Sequence, residues 1–335
     1  MRALTLAIFT VPRTSELVPM RLAPFSGDYE ALANLVEQSW AENKESSLKY
    51  TPEFLRSCFE YPGTTTNLAP TVYQEGRPVA FIAGFPRNVD WNGKREKLIL
   101  STLLTSSPET KGKGYGAWLW GDLVRKSRAA GYDGMISICV VGGHVNRIVE
   151  ECGRRLGHPT ARIFTIGFRS IFLTSAAEQV RQCSDADIDL FLELAETSTR
   201  HLALRRVWTR SEVEWQCRLR TGAVVAASRT TESRGIITGY VVDTLTSPPL
   251  RVLMIEDLLW DEMQLEGRMR LLNEFLAQGA ARGAQLASAV ITGQTEYETL
   301  KNMGLRSIGR RMNLYITRWE GPPPEPVDAL YLDVL

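Results

Sequence analysis

The stretch LILSTLLTSSPETKGKGYGAW, residues 98–118, places a glycine-rich turn between a predicted strand and a predicted helix. Its first seven residues are mostly apolar, which favours a buried strand. Gly112, Gly114 and Gly116 alternate with larger residues, so several backbone N–H groups can face one ligand. The N-terminus of a helix carries partial positive charge, and Lys111 and Lys113 add to it. The turn therefore predicts a site for a phosphate or pyrophosphate group.

Two common phosphate-binding patterns do not account for this turn. A nucleotide-hydrolase loop ends in Gly-Lys-Ser/Thr, and the turn contains no such tripeptide. Gly112, Gly114 and Ala117 formally meet the dinucleotide pattern G-x-G-x-x-G/A. That pattern expects an acidic residue at the end of the next strand, but this strand ends in Val140-Val141-Gly142. A flexible helix cap would not need three alternating glycines.

The helix that follows the turn belongs to an internal repeat. Its apolar stripe recurs after 152 residues, as Leu119, Trp120, Leu123 and Val124 match Leu271, Leu272, Phe275 and Leu276. Ala129-Ala130-Gly131 likewise matches Ala281-Arg282-Gly283, whereas matches nearer the start are spaced 160 residues apart and a later one 147. Each copy reads as strand, helical region, three strands, helix, strand, helix, strand. The sequence predicts an α/β (α+β) protein with two tandem domains, residues 18–170 and 178–320.

The segment Pro-Glu-Thr-Lys-Gly-Lys-Gly-Tyr-Gly-Ala resembles the acyl-CoA loop of the GNAT N-acetyltransferase superfamily. That signature is Arg/Gln-x-x-Gly-x-Gly/Ala, with Lys111 here at the Arg/Gln position and Gly114 and Gly116 as the two glycines. The resemblance implies a mixed, mostly antiparallel central sheet flanked by helices in each copy. It also implies acetyl-CoA as the cofactor. The cofactor-binding residues that it implies are Leu103, Leu104, Thr105, Lys111, Gly112, Lys113, Gly114, Tyr115, Gly116 and Asn146.

The second copy departs from this loop. Met263, Gln264, Glu266 and Arg268 stand where the first copy has Lys111 and the three glycines. Side chains then occupy positions where the backbone must approach phosphate, and Glu266 would repel it. We expect the second copy to bind coenzyme A more weakly than the first.

Candidate catalytic groups are distributed the opposite way. In the family a carboxylate or ordered water takes the proton of the amine, and a tyrosine on the following helix often protonates the thiolate. The first copy has no carboxylate in residues 101–107, and Gly153 stands at the usual tyrosine position. The second copy offers Glu256 and Asp257 on its strand and Tyr297 near its helix, which we predict as catalytic residues. In the alternative interpretation, Glu256 and Asp257 lie at a strand end and merely face water.

The resemblance implies an acyl-CoA-dependent N-acetyltransferase that modifies an amine of a small molecule. The first domain would hold acetyl-CoA tightly, with a structural role as one option, while the second contributes acceptor binding or catalysis. The two-copy arrangement also looks similar to tandem acetyltransferases of antibiotic pathways of the clavulanic acid type. Two alternatives remain open at this point, a non-catalytic acyl-CoA-binding or sensing protein and a protein-acetylating enzyme.

The composition argues against several classes of partner and site. The formal net charge is +1, which gives no overall attraction to nucleic acid or to an anionic membrane. The 5 cysteines form no C-x-x-C pair, and the 3 histidines lack metal-ligand spacing, so we expect no metal site and a reducing, cytoplasmic location. No apolar run approaches the length of a membrane span. The sequence leaves homodimerisation open.

Overall fold

The computed structural model describes residues 20–41, 48–174, 176–230, 233–292 and 294–333. Residues 18 and 19, at the predicted start of the first domain, lie outside these ranges, as does Glu232 of the repeat. The first copy contains β1 (Met20–Pro24), α1 (Tyr29–Ala41), α2 (Pro52–Phe59), β2 (Pro70–Gln74), β3 (Arg77–Trp91), β4 (Lys94–Ser106), α3 (Tyr115–Ala129), β5 (Gly134–Val140), α4 (His144–Leu156) and β6 (Thr160–Phe172). The second contains α5 (Asp185–Thr199), β7 (Leu204–Arg206), α6 (Arg210–Glu214), β8 (Ala223–Thr230), β9 (Ser233–Asp243), β10 (Arg251–Trp260), α7 (Leu265–Ala281), β11 (Leu286–Ile291), α8 (Gln294–Asn302), β12 (Arg306–Arg318) and β13 (Leu330–Tyr331).

The strands of the described residues form one mixed sheet. Its main order is β1-β2-β3-β4-β5-β12-β6-β11-β10-β9-β8, with β7 and β13 attached beside β3. β4 pairs with β5 and β10 with β11 in parallel, as does the short pair β7 and β13. The other neighbours are antiparallel. This confirms the expected mixed, mostly antiparallel sheet.

β6 of the first copy and β12 of the second each lie in the half of the sheet formed by the other copy. β12 of the second copy pairs with β5 of the first, where Tyr315 is opposite Ser137. β6 of the first copy pairs with β11 of the second, where Arg169 is opposite Ala289. β6 and β12 then pair with each other at the centre. Residues of β12, from the second copy, therefore lie in the half of the sheet that carries the glycine-rich turn.

The second copy begins differently from the repeat-based prediction. The repeat predicts a strand at residues 180–182, but that prediction is wrong because these residues form no regular element. Instead, Arg181 donates from its backbone to the Oε1 atom of Gln278 on α7, at 2.7 Å, and from its guanidinium to Asp187. The chain thus passes along α7 and then begins α5. Ser184 and Asp187 form a capping box at the N-terminus of α5.

Helices cover both faces of the sheet. α1 and α2 pack over a core that combines Phe81 and Leu103 of the first copy with Tyr240 and Met254 of the second. On the opposite face, α3 and α4 cover the first copy, and α7 covers the second. α1 and α2 therefore join the two copies through one apolar core.

Candidate functional site

A β-bulge interrupts β4 before the glycine-rich turn. Phe81 of β3 pairs with Thr105 and Ala83 pairs with Thr102, so Leu103 and Leu104 lie opposite a single residue. Leu103 has a φ of 57°, which a non-glycine residue adopts at an energetic cost. The bulge takes backbone groups of β4 out of the ladder and leaves them available for other partners.

β4 and β5 separate just beyond the same point. Their parallel pairing covers residues 98–101 and 134–137, and β5 then continues along β12. Ser101 and Ser137 close the last paired position through a hydrogen bond of 2.7 Å between their hydroxyls. A gap between two strands, lined by bulged backbone, can admit an extended ligand.

The predicted anion-binding turn opens to solvent. Gly112 and Gly114 have φ of 81° and 83°, which glycine adopts readily. A Cβ atom built on either would meet no atom within 4 Å. Gly114 caps α3, and the first N–H groups of a helix have no partner within it. Lys111 and Lys113 are exposed beside the turn, so its geometry suits an oxyanion.

Asn146 connects the end of β5 to the exchanged strand β12. Its amide donates to the backbone oxygens of Val140, at 2.7 Å, and Gly143, at 2.8 Å. Its Oδ1 atom accepts from Asn313 at 3.0 Å and from the Tyr315 hydroxyl at 3.2 Å. Gly143 is the residue that occupies the N-cap of α4, so Asn146 does not cap the helix itself. The side chain fixes the wall of the gap between β4 and β5.

Sequence reasoning missed Tyr315 and its partner Glu150. The Tyr315 hydroxyl donates to the Glu150 carboxylate at 2.7 Å, and burial, together with Glu150, raises the pKa of Tyr315 to about 12. The repeat assigns Tyr315 to the second copy, and only the strand exchange carries it to the first. The sequence could have pointed to Tyr315 only if the pairing of β12 with β5 had been known.

The usual tyrosine position of the family cannot hold a side chain here. A Cβ atom on Gly153 would lie 2.1 Å from Oγ1 of Thr160, at the start of β6. Gly153 is therefore a close-packing position between α4 and β6. Among the described residues, Tyr315 is the tyrosine that contacts Asn146.

The corresponding turn of the second copy is packed with side chains. Met263 is 2% exposed, and a Cβ atom on Gly267 would lie 2.9 Å from its Cγ atom. Gln264 caps α7 in place of a glycine. β10 also carries a bulge, but the extra residue is Glu256, which has a long charged side chain. Both copies thus have a bulged strand that is followed by a turn and a helix. Side chains fill this turn in the second copy, whereas the turn of the first copy is open.

Glu256 and Asp257 are buried, so the interpretation that they face water is wrong. The Glu256 side chain is 2% exposed and pairs with Arg220 and Gln216. Burial raises its pKa to about 7, although Arg220 opposes the shift. Asp257 accepts hydrogen bonds from Thr238, Gln216 and the Tyr331 hydroxyl, and burial raises its pKa too. Both carboxylates serve internal contacts of the second copy.

Tyr297 lies apart from these carboxylates. It stands on α8, where the Arg169 guanidinium lies 4.9 Å from the centre of its ring. α8 packs with α7 on one face of the sheet, whereas Glu256 contacts Gln216 and Arg220 on the other. The contacts of the described residues do not bring the three predicted catalytic residues together.

The described residues contain neither a metal-binding cluster nor a helix suited to a membrane span. In the described ranges, no group of three or more His, Cys, Asp or Glu side chains is arranged to hold a metal ion. No helix there combines the length and apolar character that a membrane span requires.

Comparison with known proteins supports the fold. No protein-family model matches the sequence, and no curated protein matches it either. The structure is similar to N-myristoyltransferase of Saccharomyces cerevisiae with bound myristoyl-CoA, with a TM-score of 0.75 and 12% identity over 95% of this chain and 87% of that one. A GCN5-related N-acetyltransferase of Sphaerobacter thermophilus gives a TM-score of 0.55 and 12% identity over 90% and 96%.

The chain therefore has the GNAT fold, as the glycine-rich turn predicted. More particularly, its tandem arrangement fits the fold of N-myristoyltransferase. The antibiotic-pathway type finds no support among these neighbours.

Proposed function

We propose that the protein is an N-acyltransferase that uses a coenzyme A thioester, held by the first copy. One observation carries the proposal: the bulge of β4, the gap between β4 and β5, and the open glycine turn occur together in that copy. The similarity in fold to N-acyltransferases, one of them with bound myristoyl-CoA, supports it.

The residues of the first copy fit such a ligand. The backbone N–H groups of Gly112, Gly114, Tyr115 and Gly116, with Lys111 and Lys113, would hold the pyrophosphate. The backbone of Leu103, Leu104 and Thr105 would face the acyl carbonyl, where N–H donors stabilise developing negative charge. Asn146 would keep the wall of the gap in place. When bound, the thioester supplies an activated acyl group for attack by an amine.

We propose acetyl as the acyl group and a small-molecule amine as the acceptor. Leu103 belongs to an apolar cluster that includes closely packed aromatic rings, with ring centres 5.3 Å apart for Phe25 and Phe59 and 5.5 Å apart for Phe25 and Phe81. This packing favours a short acyl chain. The S. cerevisiae neighbour has bound myristoyl-CoA, whose acyl chain is much longer.

A second candidate function is non-catalytic binding or sensing of an acyl-CoA. Two features of the first copy favour it: the absence of a carboxylate in residues 101–107 and the tight packing of Gly153 against Thr160. Both candidates require the ligand to bind, but only an enzyme releases free thiol.

Native mass spectrometry and a thiol-release assay test these proposals together. Acetyl-, octanoyl- and myristoyl-CoA are compared for retention, and thiol release is followed with a panel of amines. We expect Gly114→Val and Gly116→Val to lose retention. Gly27→Val is the matched control, because Gly27 has a φ of 88° and open surroundings outside the site. Undiminished retention in the turn variants would discard the site, and retention without thiol release would favour sensing.

A further inference from the structure

A cavity of about 410 Å³ lies between α2 of the first copy and the sheet of the second. Its volume falls in the range of about 300–1,000 Å³ typical of small-molecule sites. Its lining includes Lys49, Phe54, Val241, Asp243, Arg251 and Arg282. None of them belongs to the glycine turn or to the bulge of β4.

Three cations and one carboxylate line this cavity. Arg251 and Asp243 pair with each other, since Nε of the arginine lies 2.8 Å from Oδ1 of the aspartate. Within the described part of the chain, neither Lys49 nor Arg282 has a side-chain ion pair. The lining therefore carries two positive charges that no anion among the described residues balances.

Arg282 is unusual among these cations because it is half-buried. Its Nε atom is inaccessible to solvent and has no hydrogen-bond partner among the described residues. Burial also lowers the pKa of its guanidinium below the usual value. A buried donor without a partner destabilises a protein, more so when it is charged, unless a ligand or a small shift of the side chain pairs it.

The fold does not itself require an arginine at this position. The repeat aligns Arg282 with Ala130, and both residues end a helix before a glycine of positive φ, Gly283 and Gly131. Alanine therefore serves the same helix end in the first copy. The helix dipole favours a cation at this end, but that effect does not require its Nε atom to be buried.

We propose that this cavity binds a small anion carrying a carboxylate or phosphate group. The fork of the Arg282 guanidinium suits either group, because both present paired oxygens, and Lys49 adds a point charge at the mouth. Phe54, Val241 and Val242 provide apolar surface for the remainder of the ligand. The proposal does not depend on acyl transfer, because it concerns other residues.

Thermal unfolding with inorganic phosphate, with succinate and with sodium chloride at equal ionic strength tests the site. A ligand that binds only the folded state raises Tm with its concentration. We expect phosphate, succinate or both to raise the Tm of the wild type beyond the effect of sodium chloride. A rise with only one of the two anions assigns the ligand class.

Arg282→Gln should weaken the binding at least tenfold in the same titrations. Lys49→Gln should weaken it as well, and because Lys49 is exposed, this variant keeps the test valid if Arg282→Gln fails to fold. Arg270→Gln, which removes an exposed charge from the same helix, should bind as the wild type does. The proposal is overturned if the wild type shows no specific rise, or if Arg282→Gln or Lys49→Gln shows an undiminished one.

Discussion

Glu256 and Arg220 show how a buried ion pair shapes the second copy. Arg220 is 2% exposed, and its guanidinium lies 3.6 Å from the centre of the Tyr240 ring while it pairs with Glu256. Breaking such a pair by removing one partner destabilises a protein by about 3–5 kcal/mol, because a buried charge remains uncompensated. Glu256 is the bulged residue of β10, whereas Leu103 and Leu104 form the bulge of β4, so an ion pair stabilises this position in the second copy only.

The pKa of Glu256 predicts a pH-dependent stability. Its folded pKa of about 7 exceeds the usual 4.5, so the folded state binds more protons between these values. This contribution to the free energy of unfolding is complete below pH 4.5 and is lost as the pH rises through about 7. We expect Glu256→Gln to show a shallower decline than the wild type in urea unfolding from pH 5 to pH 8.

Glu262→Gln, an exposed change beyond the end of β10, is the control and should keep the wild-type slope. A Glu256→Gln variant with an unchanged slope would contradict the prediction.

At the scale of elements, the first turn of α4 and strand β12 hold the gap beside β5. Asn146 reaches two backbone oxygens at the end of β5 and its loop, and Asn313 and Tyr315 hold its own oxygen. The helix thus links β12 of the second copy to the proposed ligand site of the first.

Asn146→Ala should destabilise the protein by about 1–3 kcal/mol, because it leaves several partners unsatisfied. It should also weaken retention of acyl-CoA, since the end of β5 loses its support. Urea unfolding and native mass spectrometry measure the two effects.

The control is Asn302→Ala on α8, where the amide makes one bond of 2.8 Å within its own helix, to the Glu298 oxygen. It should change stability by roughly 0.5 kcal/mol or less. Equal retention of acyl-CoA by Asn146→Ala and the control would rule out a role of Asn146 at the site.

At the scale of the whole molecule, the two copies depend on each other. β6 has both of its neighbours, β11 and β12, in the second copy. Asp333, near the end of the described chain, pairs with the buried guanidinium groups of Arg87 on β3 and Arg206 on β7. Separating the copies would expose strand edges and remove Asp333 from the buried Arg87 guanidinium.

We therefore expect residues 1–174 and 175–335, produced separately, to lack cooperative unfolding and to aggregate. Produced together, they should associate and regain the stability of the intact chain. Circular dichroism with thermal unfolding and size-exclusion chromatography check both outcomes. A separately folded, monomeric half with a cooperative transition would show that the strand exchange is dispensable.

The sequence by itself determined the local features of this protein. Gly112 and Gly114 predict a turn because glycine alone readily adopts their positive φ, and the stripe from Leu119 to Val124 predicts α3 because helix faces repeat every 3.6 residues. The repeat predicted the same elements again, except for the strand at residues 180–182. All of these signals lie within a few neighbouring residues, or in a comparison of one segment with another.

Only the tertiary structure decided which residues meet across the two copies. The strand exchange placed Tyr315 beside Asn146, whereas packing within the second copy buried Glu256 and Asp257. Tyr297 lies on α8, where it contacts Arg169 and neither carboxylate. Strands of one repeat offer the same backbone hydrogen-bonding groups, so the local pattern does not specify which copy a strand joins. The packing of the whole chain makes that choice, and with it the composition of the site.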